Sequence, residues 1–353
     1  MITEILIRNF KCFKSLTVPE LGRVTLVGGR NNVGKTALLE ALFLLFDRIN
    51  PNMVTRQYGQ RGIESVASRP ESIWAPIFHN YDLSKEILIS TTLNGEQQSV
   101  KFKFNPNYIP PPSNTLPRRD TQIPTDKEAV PLNALDIEYS DKKSKTQTSH
   151  LLINPTGQEL HADYLHTLTQ AYFLASKKHT SSTQVSNEFS NIAKQGRENE
   201  LVEFLSIIEP RLKTLKVITE GSSSFVYGEL EHFSRAIPVN YMGEGMEKLL
   251  SIALAILHAK DGCVLVDEME NGLHFSVLSQ IWKAIGQSIR KYNCQIIATT
   301  HSYECMEMAQ KGLCDIPEDF RYIRLDRQGE DIAAKLSNYE MLSTAISTNL
   351  EVR

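Results

Sequence analysis

A short stretch near the amino terminus has the spacing of a phosphate-binding loop. Residues 29–36 read G-x-x-x-x-G-K-[ST]. The glycines let the backbone direct its N–H groups at phosphate oxygens, Lys35 adds a positive charge near the β- and γ-phosphates, and the Thr36 hydroxyl is a suitable Mg²⁺ ligand. The residues that we expect to bind the phosphates are Gly29, Asn31, Asn32, Val33, Gly34, Lys35, Thr36 and Ala37.

The sequence on either side supports this interpretation. Arg23–Val27 is rich in strand-forming residues, and Ala37–Phe46 is apolar on almost every side, as a buried helix would be. Strand, glycine loop and helix is the order that such a loop requires, and the amino terminus of the helix adds its dipole to the anion site. A glycine-rich turn that contains Lys-Thr by chance is much less favoured once this order is considered.

A second set of candidate residues follows two apolar strands in the carboxyl-terminal half. Cys263–Val266 is followed by Asp267 and Glu268. The first acid at such a strand end holds Mg²⁺ directly or through water, and the second can orient or deprotonate an attacking water. Gln295–Thr299 is another buried strand, and His301 follows it. A histidine at that place can contact a γ-phosphate, although a lone histidine is more often structural.

A Gly-x-Gly loop precedes the apolar helix predicted over Leu249–His258. Gly243, Glu244 and Gly245 would lie near the amino terminus of that helix, which makes them a second candidate anion site. A flexible helix cap is the alternative interpretation.

Aromatic residues follow the first strand signal, which lies at Ile5–Ile7. Phe13 or Lys11 could pack on a nucleotide base. The other interpretation buries both Phe10 and Phe13 in the core, and we favour it.

The composition is that of an ordinary globular protein. The 353 residues are 41% hydrophobic and 22% charged, and the formal net charge is −3, so any nucleic-acid surface must be local. The five cysteines have no metal-binding spacing and are expected to be reduced thiols, which indicates a cytoplasmic protein. We find no signal peptide and no apolar run long enough to cross a membrane.

The middle of the chain predicts two further units. Strand signals over residues 60–160, with a hairpin turn at Asn94-Gly95, indicate a β-rich layer that is interrupted by a proline-rich extended loop over 105–132. Apolar residues at helical spacing predict helix over Ser186–Lys216. The slight excess of basic residues there is weak evidence for a nucleic-acid surface, and an ordinary solvated helix face explains it better.

The order of these motifs resembles that of the ABC-type ATPases of the SMC/RecF group. The opening Ile7–Lys14 is similar to theirs, and Met242–Gly245 together with Asp267–His274 is closer to one branch, the OLD-like AAA-family ATPases of prokaryotic defence systems such as Gabija, Septu and PARIS. The resemblance covers residues 1–45 and 236–305 well and the middle in outline. It implies an α/β fold of the P-loop NTPase type. More closely, it implies an ABC-type ATPase head with a mixed sheet, a β-rich layer and a small helical lobe.

We therefore expect two lobes. The nucleotide-binding lobe would combine residues 1–175 with 247–353, and its β-rich insertion would span about 50–170. A helical lobe over 176–246 would end in the signature loop. A closing hairpin and a short final helix are predicted over 320–346.

The resemblance also implies roles for individual residues, with ATP and Mg²⁺ as cofactors. Lys35 would contact the phosphates, and Thr36 and Asp267 would hold Mg²⁺. Glu268 would be the catalytic base, and His301 would be the histidine that senses the γ-phosphate.

The signature loop and the metal shell depart from the family pattern. Gly243, Glu244 and Gly245 match the loop that binds the ATP of a second subunit, but Gly243 replaces the usual serine, which removes a hydroxyl donor to the γ-phosphate. The glutamine that usually completes the Mg²⁺ shell has no clear counterpart, and Gln170 and Gln158 are the candidates.

Three classes of function agree with these expectations to different degrees. The first is an ATP-hydrolysing sensor or regulatory subunit of an antiphage defence system, a homodimer with shared ATP sites that acts on a separate effector, a nuclease. The second is a RecF-like or SMC-like DNA-repair ATPase that clamps DNA directly. A transporter ATPase fits least, because the β-rich insertion and the Asn-Phe-Lys opening do not suit it. Many OLD-like proteins append a Toprim nuclease domain, which we do not expect between His301 and Arg353.

Overall fold

In the part of the chain that the structure describes, three β-sheets and the helices packed on them form the fold. This computed structural model describes residues 1–63, 69–109, 132–141, 146–154, 157–162, 170–177, 180–348 and 350–351. The strands are β1 (Ile2–Phe10), β2 (Phe13–Val18), β3 (Val24–Gly28), β4 (Ile87–Leu93), β5 (Glu96–Tyr108), β6 (Leu132–Asp141), β7 (Gln147–Asn154), β8 (Gly157–Ala162), β9 (Ala171–Leu174), β10 (Leu212–Glu220), β11 (Ser223–Leu230), β12 (Ile237–Pro238), β13 (Cys263–Val266), β14 (Gln295–Thr299), β15 (Phe320–Gln328) and β16 (Asp331–Asn338). The helices are α1 (Lys35–Asp47), α2 (Met53–Gln60), α3 (Pro70–Ile73), α4 (Ser182–Ala193), α5 (Glu198–Leu205), α6 (Glu244–His258), α7 (Phe275–Lys291), α8 (Tyr303–Gly312) and α9 (Tyr339–Ser347).

A mixed sheet positions the phosphate loop. Its strand order is β16-β15-β3-β14-β13-β9, in which the strands from β15 to β9 are parallel and β16 is antiparallel to β15. Every residue of β3, β13 and β14 is buried, as expected for parallel strands that are covered on both faces. Because the carboxyl ends of parallel strands meet at one edge, the loops after β9, β13, β14 and β3 lie next to one another.

Helix α1 is buried on all sides because it lies between two sheets. All residues of 37–46 are buried, and the helix contacts β9, β13 and β14 of the mixed sheet as well as β4 of a second sheet. This position explains why the sequence of the helix has no polar face. The exception is Glu40, whose buried carboxylate is paired with Lys11 and Arg61 at 2.7 Å each.

The second sheet is antiparallel and contains the predicted β-rich layer. Its order is β2-β1-β4-β5-β6-β7-β8, so the first two strands of the chain join the layer. The predicted turn at Asn94-Gly95 is confirmed, with φ values of 52° and 80°. The extended loop predicted from residue 105 begins later, because β5 continues across a bulge to Tyr108, which pairs with Leu132. Residues 110–131 of that loop lie outside the described residues.

Helices α6, α7 and α8 cover the other face of the mixed sheet. One buried cluster joins Leu249 of α6, Trp282 of α7 and Ala309 of α8 to Val264 and Ile296 of the sheet. Burial of such side chains is the main source of stability, at about 1.5–3 kcal/mol for each large apolar residue. Within the described ranges, no helix is both long and apolar enough to span a membrane.

The segment 176–246, predicted as a helical lobe, contains a small sheet as well as helices. After α4 and α5 the chain forms the antiparallel sheet β10-β11-β12. The helix predicted as far as Lys216 is therefore wrong beyond Leu205. Pro210 lacks the N–H that a helix interior needs, and β-branched residues such as Val217 favour the strand that follows. The limits of the lobe remain a prediction.

The carboxyl-terminal elements agree with the sequence. β15 and β16 form the predicted closing hairpin, with Gly329 at its turn in the left-handed region (φ 66°). The final helix, α9, follows directly.

Candidate functional site

The phosphate loop joins β3 to α1 and has the backbone conformation that its glycines predict. Gly29 and Gly34 have φ values of 124° and 88°, and Asn32 has a φ of 63°. These values lie in the left-handed region that glycine adopts without strain. A Cβ on Gly34 would lie 2.6 Å from Cys12 Sγ and from the ring of Phe13. The turn between β1 and β2 therefore supports the loop from behind, and only glycine fits.

The Lys35 ammonium lies across this loop. Its Nζ donates hydrogen bonds to the carbonyl oxygens of Gly29 at 2.7 Å and Arg30 at 3.0 Å. Burial lowers the pKa of Lys35, while the carboxylates that follow β13 oppose this shift. An ammonium held here can exchange its carbonyl contacts for phosphate oxygens, which are stronger, charged acceptors.

Asp267 is surrounded by hydroxyl groups. Its carboxylate is buried and accepts hydrogen bonds from the hydroxyls of Thr36 at 3.0 and 3.1 Å, Ser176 at 2.9 Å and Thr299 at 2.7 Å. The structure therefore brings together Thr36 and Asp267, the two metal ligands that the sequence predicts, across 231 positions of the chain. Ser176 and Thr299 were not among the predicted site residues.

These oxygen donors are suited to Mg²⁺. Mg²⁺ prefers hard oxygen ligands, keeps several waters, and is usually bound through one or two carboxylates together with substrate phosphates. Thr36 and Asp267 offer a hydroxyl and a carboxylate of this kind beside the phosphate loop, and Ser176 offers a second hydroxyl. Among the described residues, no group of three or more His, Cys, Asp or Glu side chains could hold a metal ion by itself. Phosphate oxygens would complete the shell.

Ser176 takes the place near Asp267 for which Gln170 was a candidate. Ser176 follows β9, which pairs in parallel with β13. Gln170 precedes β9, and its carbonyl oxygen accepts a hydrogen bond of 3.0 Å from the N–H of Cys263, at the other end of the sheet. Gln170 is therefore not at the site, and the side chain of Gln158 lies outside the described part of the chain.

Glu268 has a strained backbone next to the phosphate loop. Its φ is 50°, its N–H donates to Thr299 Oγ1 at 2.8 Å, and its Oε2 accepts from Asn271 Nδ2 at 2.6 Å. Such a conformation costs about 1–3 kcal/mol at a residue other than glycine and is found where a functional site requires it. Glu268 also lines the cavity that contains Lys35. A carboxylate anchored there can orient or deprotonate a water.

His301 follows β14 and is held by Glu270. The Nδ1 atom of His301 is 3.1 Å from Glu270 Oε1, and the backbone N–H groups of His301 and Ser302 donate to that same oxygen at 2.8 and 3.1 Å. The His301 side chain is 48% exposed. It lies outside the described lining of the nucleotide cavity, so its contact with a γ-phosphate stays a prediction. Glu270 was not among the predicted site residues. In the sequence it is marked only as an acid two positions after Glu268.

The signature loop packs on the segment that follows Glu268. Helix α6 begins at Glu244, and Gly243 caps it with a φ of 108°. A Cβ on Gly245 would lie 2.7 Å from the carbonyl oxygen of Gly272, so the two loops are in close contact. The structure does not bring Gly243, Glu244 or Gly245 into the described lining of the cavity at the phosphate loop.

Helix α6 also contacts the end of β13 through Lys248. Its Nζ donates a hydrogen bond of 3.2 Å to the backbone carbonyl oxygen of Asp267. Burial lowers the pKa of Lys248, and the charge of Asp267 opposes that shift. The helix that carries the signature loop is thereby bonded to the acid that the sequence predicts as a metal ligand.

A cavity of about 850 Å³ lies at the phosphate loop. Lys35, Thr36 and Asp267 line it together with Arg61 and Tyr81. The volume is within the usual range for small-ligand sites, which is about 300–1,000 Å³.

A phosphate loop after β3, a histidine after the neighbouring strand β14 and two acids after the next strand of the sheet, β13, define an ATPase of the ABC type. The family comparison agrees with this class. The chain belongs to the family described as "AAA domain, putative AbiEii toxin, Type IV TA system", whose sequence model matches residues 24–307.

Two relatives extend over most of the chain. A protein of Helicobacter pylori (strain ATCC 700392 / 26695) named ATP/GTP phosphatase is 25% identical over 333 residues, 87% of this chain and 87% of that protein. The OLD nuclease of Thermus scotoductus (strain ATCC 700910 / SA-01) is 21% identical over 323 residues, 86% of this chain and 59% of that protein. The resemblance to OLD-like ATPases is confirmed, and the chain is an ATPase.

Solved structures of SMC heads have a similar fold. An SMC head bound to the C-winged helix domain of ScpA has a TM-score of 0.52 at 12% identity, covering 98% of this chain and 99% of that one. An SMC head with an extended coiled coil, bound to the C-terminal domain of ScpA derived from Pyrococcus furiosus, has a TM-score of 0.50 at 12% identity, covering 99% of each chain. At this identity the likeness concerns the fold alone, and it confirms the predicted ABC-type head.

Proposed function

We propose that this protein is the ATP-hydrolysing regulatory subunit of a prokaryotic antiphage defence system. In this proposal it is a cytoplasmic homodimer that controls a separate effector, a nuclease. The observation that carries the proposal is the composition of the cavity, whose described lining includes the phosphate loop but none of Gly243, Glu244 and Gly245. Glu244 and Gly245 pack against Gly272 instead. A second copy, which presents its own signature loop, would complete the site.

The proposed chemistry assigns one task to each residue of the site. Lys35 binds the β- and γ-phosphates, and Thr36 and Asp267 hold Mg²⁺, which would stabilise the charge that develops on the phosphates. Glu268 orients and deprotonates the attacking water. His301 contacts the γ-phosphate of ATP and loses that contact after hydrolysis.

Exposed aromatic side chains near the signature loop support pairing of two copies. Tyr241, just before the loop, is 83% exposed, and Phe275, which follows the loop after Asp267–Glu268, is 56% exposed. Large exposed apolar groups on a soluble protein often mark interaction surfaces, and aromatic residues are enriched in them. When ATP is bound between two copies, these side chains would be covered.

The proposal that the effector is a nuclease is based on the similarity of this chain to OLD nuclease. The match with OLD nuclease covers 59% of that protein, so part of it has no counterpart in the matched region. In the described residues of this chain, no cluster of acidic residues could hold the metal ions of a nuclease. A nuclease supplied by another chain would complete such a system.

Charge on the small sheet gives little support to the alternative, a repair ATPase that clamps DNA directly. Lys213 and Lys216, which the sequence placed among the basic residues of this lobe, are ion-paired with Glu231 and Glu229. Each of these lysines would have to give up a carboxylate partner to bind a DNA phosphate, which reduces its net contribution to affinity.

The first test is the mass of the purified protein with and without ATP and Mg²⁺. We expect a monomer-to-dimer shift with ATP in Glu268→Gln, in which hydrolysis is slow, and no shift in Lys35→Ala. The same measurement with the products of adjacent genes would identify the effector. A dimer that forms equally without nucleotide would contradict shared ATP sites.

The second test is phage challenge. Cells that carry the gene with its neighbours should lose protection when Glu268→Gln or Lys35→Ala is introduced, as measured by efficiency of plating. If the protein alone binds DNA tightly at physiological salt, or if both variants protect fully, the defence proposal fails and the clamp takes its place.

A further inference from the structure

His301 and Glu270 form a pair where the loops after β14 and β13 meet. The ring atom Nδ1 of His301 is 3.1 Å from Glu270 Oε1. The His301 side chain is 48% exposed, whereas the Glu270 side chain is 11% exposed, so the carboxylate is the more enclosed of the two groups. The roles that the proposed function assigns leave Glu270 without a task, although it lies two positions after Glu268.

The start of helix α8 holds the carboxylate of Glu270. The backbone N–H groups of His301 and Ser302 donate to Oε1 at 2.8 and 3.1 Å. Both groups lie just before α8 begins at Tyr303, and the helix dipole favours a negative charge at this end. Glu270 Oε1 therefore has two backbone contacts that do not depend on the His301 ring.

The backbone of Glu270 is anchored as well. The N–H of Met269 donates to the carbonyl oxygen of Thr299 at 2.9 Å, and the N–H of Leu273 donates to the carbonyl oxygen of Glu270 at 3.0 Å. Thr299 is the last residue of β14, the strand that precedes His301. The carboxylate and the ring are thus attached to the same strand end, which favours a constant geometry between them.

A carboxylate in this place determines which ring nitrogen of His301 is available to a ligand. An ionised carboxylate only accepts hydrogen bonds, so Nδ1 must be the atom that donates to Glu270. The state of one ring nitrogen is set by the hydrogen bond that the other makes. Because Nδ1 is bonded to Glu270, Nε2 is the ring nitrogen that remains for a phosphate oxygen.

We propose that Glu270 is a positioning residue for ATP hydrolysis, which holds the His301 ring through Nδ1–H so that Nε2 meets the γ-phosphate. The inference rests on the proposed function, because that function assigns the γ-phosphate contact to His301. With protons on both nitrogens, the ring donates from Nε2 to a phosphate oxygen, and Glu270 is its counter-ion. Without the carboxylate, the ring can turn about its side-chain bonds and loses this orientation.

ATP turnover by the full chain with Mg²⁺, measured over a range of ATP concentrations, tests the role of Glu270. In Glu270→Ala, kcat should fall about 10- to 100-fold, which is the loss of one charge-assisted hydrogen bond, and KM should change little. Glu270→Gln keeps an acceptor oxygen and should recover most of kcat. Glu307→Ala removes an ion-paired acid from the surface of α8. It is the matched control and should turn over ATP as the wild type does.

A double-mutant cycle separates positioning from general support of the fold. A positioning residue acts through the group that it positions, so Glu270→Ala should have no further effect on kcat in a chain that already carries His301→Ala. A residue that only supports the fold would lower kcat in both backgrounds. Urea unfolding of each variant shows which of them are folded under the assay conditions.

Nitrogen NMR of the chain labelled with ¹⁵N-histidine reports the position of the proton without ATP. The chain has nine histidines, and the signals that disappear in His301→Ala are those of His301. In mildly alkaline buffer we expect the wild-type ring to carry its proton on Nδ1. In Glu270→Ala this signature should be lost, because both tautomers are then open to the ring.

Three results would overturn the positioning role. These are a wild-type His301 that carries its proton on Nε2, unchanged kcat in Glu270→Ala, or an equal loss of kcat in this variant with and without His301. If His301→Ala turns over ATP as fast as the wild type, the γ-phosphate contact of the proposed function is wrong, and this inference fails with it. If His301→Ala is slow and Glu270→Ala is not, only the positioning role fails.

Discussion

Replacing Glu40 by glutamine tests how far the walls of the nucleotide cavity depend on one buried carboxylate. Glu40 is fully buried in α1, accepts two hydrogen bonds of 2.7 Å from Arg61, and is 2.7 Å from Lys11 Nζ. Lys11 and Arg61 both line the cavity. Glutamine has nearly the same shape, but it leaves the Lys11 ammonium without a counter-ion and offers Arg61 a single acceptor.

The expected loss in the free energy of unfolding is about 3 kcal/mol. Removing one partner of a buried ion pair costs about 3–5 kcal/mol. We take the lower end of this range because the Arg61 side chain is 44% exposed and can turn to solvent. The Lys11 side chain is 13% exposed and has less access to water, so most of the cost comes from its ammonium. A loss of this size is a large part of the about 5–15 kcal/mol that stabilises a typical domain.

The effect should depend on pH in one direction. Burial raises the pKa of Glu40, but the charges and hydrogen bonds of Lys11 and Arg61 outweigh it, so the pKa lies below its ordinary value of 4.5. A carboxyl group whose folded pKa is lowered contributes stability above the unfolded pKa, and that contribution is lost as the pH falls through the folded pKa. The difference between wild type and Glu40→Gln should therefore shrink in acid. Burial lowers the pKa of Lys11 to about 8 and Glu40 opposes that shift, so Lys11 in the variant should lose its proton at a lower pH than in the wild type.

Urea unfolding followed by circular dichroism, at pH 7 and in steps into acid as far as both proteins stay folded, measures both effects. Glu307→Gln is the matched control, since Glu307 is paired with Lys311 at 2.7 Å on the surface of α8. It should cost at most about 0.5 kcal/mol, as exposed pairs one helical turn apart do. If Glu40→Gln costs no more than this control, or if its cost is the same in acid, the assignment of a stabilising buried ion pair is wrong.

Three further changes test the ATP site. Glu268→Gln keeps the shape of the side chain but removes the base, so phosphate release should fall about 10²-fold or more while ATP still binds in calorimetry; unchanged turnover would place the base elsewhere. Gly245→Asp puts a carboxylate where the γ-phosphate of the partner's ATP must approach and presses a Cβ on the carbonyl oxygen of Gly272, so hydrolysis should stop. Single subunits of this variant should still bind ATP, and full turnover would contradict the signature assignment. Ser176→Ala removes one hydroxyl donor from Asp267, so Mn²⁺ binding in the presence of ATP, followed by electron paramagnetic resonance, should weaken about 10-fold; equal Mn²⁺ affinity would show that Ser176 has no part in the metal site.

The sequence was sufficient to predict the parts of the site that consist of consecutive residues. The glycines of 29–36 require left-handed backbone, and the structure has it at Gly29 and Gly34. The apolar run after them predicts a buried helix, and α1 is buried between two sheets. The motifs and the family resemblance gave Thr36 and Asp267 to one Mg²⁺ site, and the structure brings the two side chains into contact.

The sequence was insufficient where a residue depends on which strands are neighbours. Ser176 reaches Asp267 because β9 pairs with β13, and Glu270 holds His301 because their loops follow adjacent strands. Local patterns do not encode such pairings over long separations. The strand around Lys216 was missed for the opposite reason, because a local helical pattern was extended past Pro210, where the backbone could not follow it.

The turn between β1 and β2 has a consequence for how the two sheets are coupled. Cys12 and Phe13 contact Gly34 of the phosphate loop, and Lys11 bonds the segment that contains Ile77 and His79. The phosphate loop follows β3 of the mixed sheet, whereas β1 and β2 belong to the antiparallel sheet. A shift of one sheet against the other would therefore move the backbone that binds the phosphates.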